Sequence, residues 1–259
     1  MPAISIGWLV IAAAACFGAP FLPLRDPQQI DVAATASLPT SGHWLGTDEL
    51  GRDLLARLLF GGRTSLLVAG GATLVALIGG SAIGLVGGYF RGWSGNLAGG
   101  AFDVVLSLPT VVLVMVSTAT YGTSLPVLCA TIGLAGAPAF GRIAMVMTRS
   151  VAAARTIGST RRSIVCREIL PNVSSSLLVY ALSYAALAVI IEGSLSYLGL
   201  SVADPAPSWG GLIAAGQVEL EASPHIVLIP AAVIFLTVAA LHAVGEAARR
   251  RYDIREISV

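Results

Sequence analysis

Few residues in this chain are equipped for chemistry, and the missing types limit it as much as those present. All 15 basic residues are arginine, and lysine is absent. A phosphate loop of the form G-x-x-x-x-G-K-[ST] needs a lysine that reaches the phosphates, so the 29 glycines build no ordinary nucleotide site. His43, His225 and His242 are scattered, as are Cys16, Cys129 and Cys166. No C-x-x-C pair or metal-ligand spacing joins them, and no disulfide framework follows. No nucleophile paired with a base falls within an apolar run, which argues against a membrane hydrolase. Asp103 and Glu192 remain, two carboxylates at the ends of long apolar stretches. An acid within a membrane is a functional candidate, for a solute or a proton. At the membrane surface it is more commonly a solvated or helix-capping group.

The elements that must position these acids are apolar helices. Of 259 residues, 56% are hydrophobic and 11% charged, with mean hydropathy +0.84; soluble domains carry about 25% charged residues. The expected fold class is an all-α integral membrane protein with about six transmembrane helices. The expected spans are Ile4 to about Leu24, ended by Pro20 and Pro23; the charge-free stretch between Arg63 and Arg91; 104–120 and 124–144, parted by the turn YGTSLP; one between Glu168 and Glu192, beginning after Pro171; and one between Glu221 and Glu246. The first run lacks a basic flank, unlike a cleaved signal peptide. Pro109 and Pro126 are expected to kink or end helices, Trp209 to sit in an interfacial belt, and His242 to be a buried hydrogen-bonding group. Placing both termini inside puts eleven arginines in cytoplasmic loops and tail: Arg91, the six from Arg142 to Arg167 and the four from Arg249 to Arg255. Only Arg25, Arg52, Arg57 and Arg63 then lie outside, as the inward bias of basic residues requires. The net charge of +1 gives no reason to expect nucleic acid.

Two segments between spans carry patterns of their own. In TDELGRDLLARLLFGGR (47–63), Leu50, Leu54, Leu55, Leu58 and Leu59 recur at helical spacing, with Arg52, Asp53 and Arg57 on the other side. This predicts an amphipathic helix in the outer interface, capped by Thr47, with Gly61–Gly62 turning into the second span. In GSTRRSIVCREILPN (158–172), Gly158 breaks the preceding helix and Ser159 or Thr160 caps a short second one. Ile164, Val165, Ile169 and Leu170 form its apolar side, Arg161, Arg162 and Arg167 its charged side, and Pro171 opens the next span. Arginines there could simply anchor to anionic lipid. The glycine break and two-sided helix suit a knob seated in a groove of a partner protein.

AAARTIGSTRRSIVCREILPN (152–172) resembles the cytoplasmic "EAA" loop of inner-membrane permeases of ABC importers, specifically the C-type subunit of the dipeptide/oligopeptide/nickel group. Gly158, Ile169, Leu170, Pro171 and Asn172 match in register, while Ala152 replaces the family's leading glutamate. HWLGTDELGRDLLARLLFGGRTSLLVA (43–69), DVVLSLPTVVL (103–113), EGSLSYLGL (192–200) and PSWGGLI (207–213) resemble further segments of the group, in order. The resemblance implies a type I importer permease fold: residues 1–60 as first span plus outer elbow, and 61–259 as permease core. It implies a bacterial inner-membrane subunit that pairs with a second permease as a heterodimer. Two cytoplasmic ATPase domains, which bind ATP and Mg, would dock beneath, and an extracytoplasmic solute-binding protein would deliver di- or oligopeptides. The chain itself would hold no cofactor or metal and perform no catalysis. Coupling to the ATPases would fall to Ala153, Ala154, Gly158, Arg161, Arg162, Ile164, Ile169, Leu170 and Pro171. By position, Ser107, Pro109, Glu192, Ser194, Ser196 and Tyr197 are candidates for the solute path. Gly79, Gly80, Gly84, Gly87 and Gly88 would let helices approach closely. The same machinery importing nickel or haem is an alternative. A proton-coupled carrier using Asp103 or Glu192 is another, although no inverted repeat is evident.

Overall fold

The computed structural model describes residues 2–90, 93–153, 170–202 and 206–257. These form nine α-helices and no strand. Helix α1 (Pro2–Gly18) ends in a 3-10 turn, Ala19–Phe21, with Pro20 in it. After a long loop come α2 (Leu54–Val75), a π-helical turn (Ala76–Gly80) and α3 (Ser81–Tyr89), which together make one 36-residue apolar span. Then follow α4 (Trp93–Ser107), α5 (Thr110–Tyr121), α6 (Leu125–Ala153), α7 (Leu170–Tyr197), the short α8 (Trp209–Gly216) and α9 (His225–Ile257). Five helices are long and apolar enough to cross a membrane. The count reaches six only if α4 and α5 together make one.

The third span is therefore not the single helix 104–120. It is broken between α4 and α5, which meet at 85°. Proline offers no N–H to a preceding turn and drives its predecessor out of the helical region, so α4 stops at Ser107 and Pro109 becomes the N-cap of α5.

Helix α6 is the centre, packed on α2, α3, α4, α5 and α7. Phe140 is fully buried and meets the rings of Tyr180 and Tyr184 edge-on at 4.8 and 5.4 Å. The Tyr184 hydroxyl donates to the Ile132 carbonyl at 2.8 Å. The glycine row acts as expected except at one position. A Cβ on Gly80 or Gly84 would strike the α6 carbonyls of Ala137 or Gly141, and Gly87 and Gly88 face Met145, whereas Gly79 has open space around it.

The segment 47–63 departs from expectation. Gly51 sits at φ +79°, which a helix cannot hold, and residues 47–52 form a tight turn. Helix α2 begins at Leu54, capped not by Thr47 but by Asp53, whose Oδ1 accepts from the Ala56 N–H at 2.8 Å. Gly61 and Gly62 do not turn the chain; they lie inside α2 against Ser208 and Trp209. The division expected at residue 60 thus falls inside one continuous helix.

Candidate functional site

Two sequence segments more than a hundred residues apart meet on one side of the bundle. Trp209, expected in an interfacial belt, is instead fully buried: its indole N–H donates to the Leu58 carbonyl at 2.9 Å and its backbone N–H to Ser65 Oγ at 3.2 Å. Glycines admit it, since Gly62 faces its ring and Gly210 packs on the Gly193 backbone. Helix α8 is therefore clamped against α2 and α7.

The 47–52 turn is built around Asp48. Its Oδ1 accepts from the backbone N–H groups of Leu50 (3.0 Å) and Arg52 (2.8 Å), while Oδ2 holds Arg52 Nε at 2.6 Å and Arg57 Nε at 3.1 Å. Both arginines, expected on a polar outer face, are buried. An unpaired buried charge is prohibitively costly, so the carboxylate that follows Thr47 decides where they go. Arg52 Nη2 also reaches Glu49 Oε1 at 3.0 Å, and Arg57 Nη1 donates to the Pro27 carbonyl at 3.2 Å. Beside them, His43 Nδ1 meets Asp53 Oδ2 at 2.9 Å and Arg25 Nη1 meets His43 Nε2 at 3.3 Å. Arginine can only donate, so Nε2 accepts and the ring proton sits on Nδ1.

Facing this turn is a hydroxyl relay that ends on Glu192. The carboxylate, on α7, is 1% exposed. Its Oε1 accepts from Ser196 Oγ at 2.6 Å and Ser201 Oγ at 3.1 Å. Ser208 Oγ, the N-cap of α8, accepts from the Gly211 N–H and donates to Ser196 Oγ at 3.0 Å. Glu192 Oε2 is buried and takes no hydrogen bond among the described residues. Between turn and relay lies a cavity of about 540 Å³, lined by Glu49, Arg52, Arg57, Ser196, Ser201 and Ser208 among others.

Of the expected path residues, Glu192, Ser196 and Tyr197 gather here, with Tyr197 donating to Gln217 Oε1 at 2.7 Å. Ser194 turns away and bonds the Ile190 carbonyl. Ser107 and Pro109 sit at the α4–α5 bend and do not line this cavity. Asp103 pairs in the open with Arg142 of α6 at 2.5 Å. His242 is exposed rather than buried. Ala153 is the last residue of α6, and Leu170 and Pro171 open α7. Ala154, Gly158, Arg161, Arg162, Ile164 and Ile169 lie outside the described residues. Asp48, Arg52, Arg57, Ser201 and Ser208 were missed as site residues, although each lies in or beside a segment singled out by resemblance.

Residues 80–255 match the family described as binding-protein-dependent transport system inner membrane component. The chain belongs to that family. It is 30% identical over 251 residues to the glutathione transport system permease protein GsiD of Pectobacterium atrosepticum, covering 95% of this chain and 83% of the relative. It is 33% identical over 221 residues to GsiD of Escherichia coli O1:K1, covering 83% and 73%. Its fold resembles a crystal structure of an amino acid ABC transporter with histidines, at TM-score 0.60 and 14% identity, over 75% of this chain and 94% of that one. The protein is the permease component of an ABC importer, an inner membrane subunit of a transport system.

Proposed function

We propose that this permease imports short peptides or peptide-like solutes, as half of a heterodimeric path. The observation that carries the reading is the likeness, across nearly the whole chain, to permeases named for glutathione, itself a small peptide-like solute. The outer cavity supports it, having a mixed polar and apolar lining and a size suited to a small solute. A second permease would complete the path, and an extracytoplasmic binding protein would deliver cargo. Two cytoplasmic ATPase domains, carrying ATP and Mg, would drive transport, with both termini of this chain on their side. The lysine-free sequence fits a subunit that leaves nucleotide binding to its partners.

Purification with co-encoded subunits, followed by reconstitution into liposomes, tests this. ATP-dependent accumulation of labelled glutathione or alanyl-alanine is expected, and neither binding nor hydrolysis of ATP by this chain alone. Accumulation of nickel or haem but of no peptide would defeat the substrate reading.

A further inference from the structure

Four arginines stand between the first span and the charge-free stretch that follows Arg63, and they divide into two pairs. Arg52 and Arg57 are buried and share Asp48. Arg25 and Arg63 are exposed, and neither has a carboxylate partner among the described residues. Arg25 Nη1 meets His43 Nε2 at 3.3 Å, which uses one of the five donors of a guanidinium. Both of these arginines line a second cavity, of about 650 Å³, between the end of α1, the first turns of α2 and the start of α6. Most of its remaining lining is apolar, with Phe60 and Leu67 on α2 and Leu125 opening α6. Asp26 is the one acid among the described lining residues. It is exposed, and its Oδ1 accepts from the Gln28 N–H at 2.9 Å. Two cations against one solvated carboxylate leave the cavity positive.

The level of the cavity in the bundle says what can fill it. The first apolar span ends at Phe21, the α6 span begins at Leu125, and no charge falls between Arg63 and Arg91. These three boundaries meet at the cavity, so it lies where the apolar part of the bundle reaches the membrane surface. Arg63 stands at that edge, and Leu67, one turn further along α2, is 38% exposed on the apolar side. A soluble anion would answer the arginines and leave the apolar wall wet. An alkyl chain alone would cover the wall and face two charges. A glycerophospholipid answers both, because guanidinium groups match phosphate oxygens and basic pockets between spans hold lipid headgroups. We propose that this cavity is a phospholipid site, with the phosphodiester between Arg25 and Arg63 and the chains against Phe60, Leu67 and Leu125. The lipid belongs to the leaflet on the side of the 22–53 loop, the outer one in the topology proposed above. Through Arg25 it braces His43, and through His43 the Asp53 cap of α2. The inference does not depend on which solute is carried.

The test uses the importer assembled with its partner subunits and stripped of lipid in dodecyl maltoside. Phosphatidylglycerol carrying a diazirine on one chain is photolysed with it, and the labelled peptides are mapped by mass spectrometry. Labelling should concentrate on the stretch of α2 that holds Phe60 and Leu67 and on the start of α6. Unlabelled phosphatidylglycerol should compete at concentrations about tenfold or more below dioleoylglycerol, which has the chains but no phosphate. Glycerophosphoglycerol, which has the phosphate but no chains, should not compete in that range. Arg25→Gln combined with Arg63→Gln should remove the advantage of phosphatidylglycerol over dioleoylglycerol. The competition series on the unaltered importer decides the matter by itself should that variant fail to assemble. Labelling spread evenly over exposed faces, such as those of Leu187 on α7 and Phe235 on α9, would mean annular lipid only. Equal competition by dioleoylglycerol would mean a purely apolar groove, and displacement by glycerophosphoglycerol a site for a soluble phosphodiester. Each of these results overturns the proposal, as does a preference that survives in the double variant.

Discussion

Trp209 is the side chain on which the outer clamp depends most. It fills the space between α1, α2 and α8 and makes a hydrogen bond that only an indole N–H reaches. Trp209→Phe removes the donor but leaves the Leu58 carbonyl its bond within α2, so it should cost about 1 kcal/mol. Trp209→Ala adds a cavity and should cost about 3–5 kcal/mol. Trp44, which is 75% exposed, is the matched control, and Trp44→Ala should leave stability nearly unchanged. Thermal unfolding of purified protein, followed by size-exclusion chromatography, checks the order; equal losses at the two tryptophans would mean that the clamp is not a stability element. Nothing local in PSWGGLI announces this burial. Tryptophan beside an outer loop reads as an interfacial residue, and only the glycines on either side hinted at close packing.

Helix pairs show the same division between legible and illegible. Long charge-free runs set the spans, because a bilayer demands them; the second span reaches back from Arg63 to Leu54, and the other unbroken spans moved by only a few residues. The exceptions are positions where a backbone detail overrode the pattern. The leucine spacing of 47–63 was helical, yet Gly51 at positive φ and the acceptors of Asp48 and Asp53 moved the helix start to Leu54. Likewise the run 104–120 was apolar enough to span, but Pro109 broke it. The site was half legible for a related reason. Its segments could be picked out, but their meeting depends on contacts between α2, α7 and α8 that no local period encodes. The α3–α6 seam offers a direct test at this scale. Gly84→Leu would drive its Cβ into the Gly141 backbone, whereas a Cβ at Gly79 meets nothing within 4 Å. Rigid backbone cannot yield, so Gly84→Leu should abolish the monodisperse folded peak on chromatography and Gly79→Leu should keep it. Equal tolerance would show that the seam is not close-packed.

For the whole molecule, the question is how a solute on one side is linked to ATP on the other. The proposed topology, argued from the arginine distribution, has both termini and the segment 154–169 on the cytoplasmic side and the cavity opposite. In a cysteine-free background, an impermeant thiol reagent outside should reach a cysteine at Val218, which is 88% exposed, and miss one at Ser159; the reverse pattern defeats the topology. Helix α6 ends at Ala153 and α7 starts at Leu170, so the two helices bracketing the segment 154–169 also carry Phe140, Tyr184 and Glu192. If a partner moves 154–169, as we propose, α6 and α7 connect that movement directly to the core and to the Glu192 relay. We propose that the apolar side of that segment makes the grip, with Gly158 setting its angle. Interface anchors often cost more than about 2 kcal/mol when truncated, and a β-branched residue is strained if Gly158 holds positive φ. Gly158→Val, or Ile164 and Leu170 changed to Asp, should release the ATPase from the purified complex or uncouple ATP turnover from transport. Neutralising Arg161 and Arg162 should do less, since a solvated or lipid-facing arginine contributes only about 1 kcal/mol. The spans begin beyond these positions, with the fourth apolar stretch opening at Val173, so membrane insertion should persist in every variant. ATPase retention and solute uptake, compared between the two sets, decide the matter. Retention by the glycine and apolar variants, with loss of membrane orientation in the arginine variants, would make the segment a lipid anchor and end the docking account.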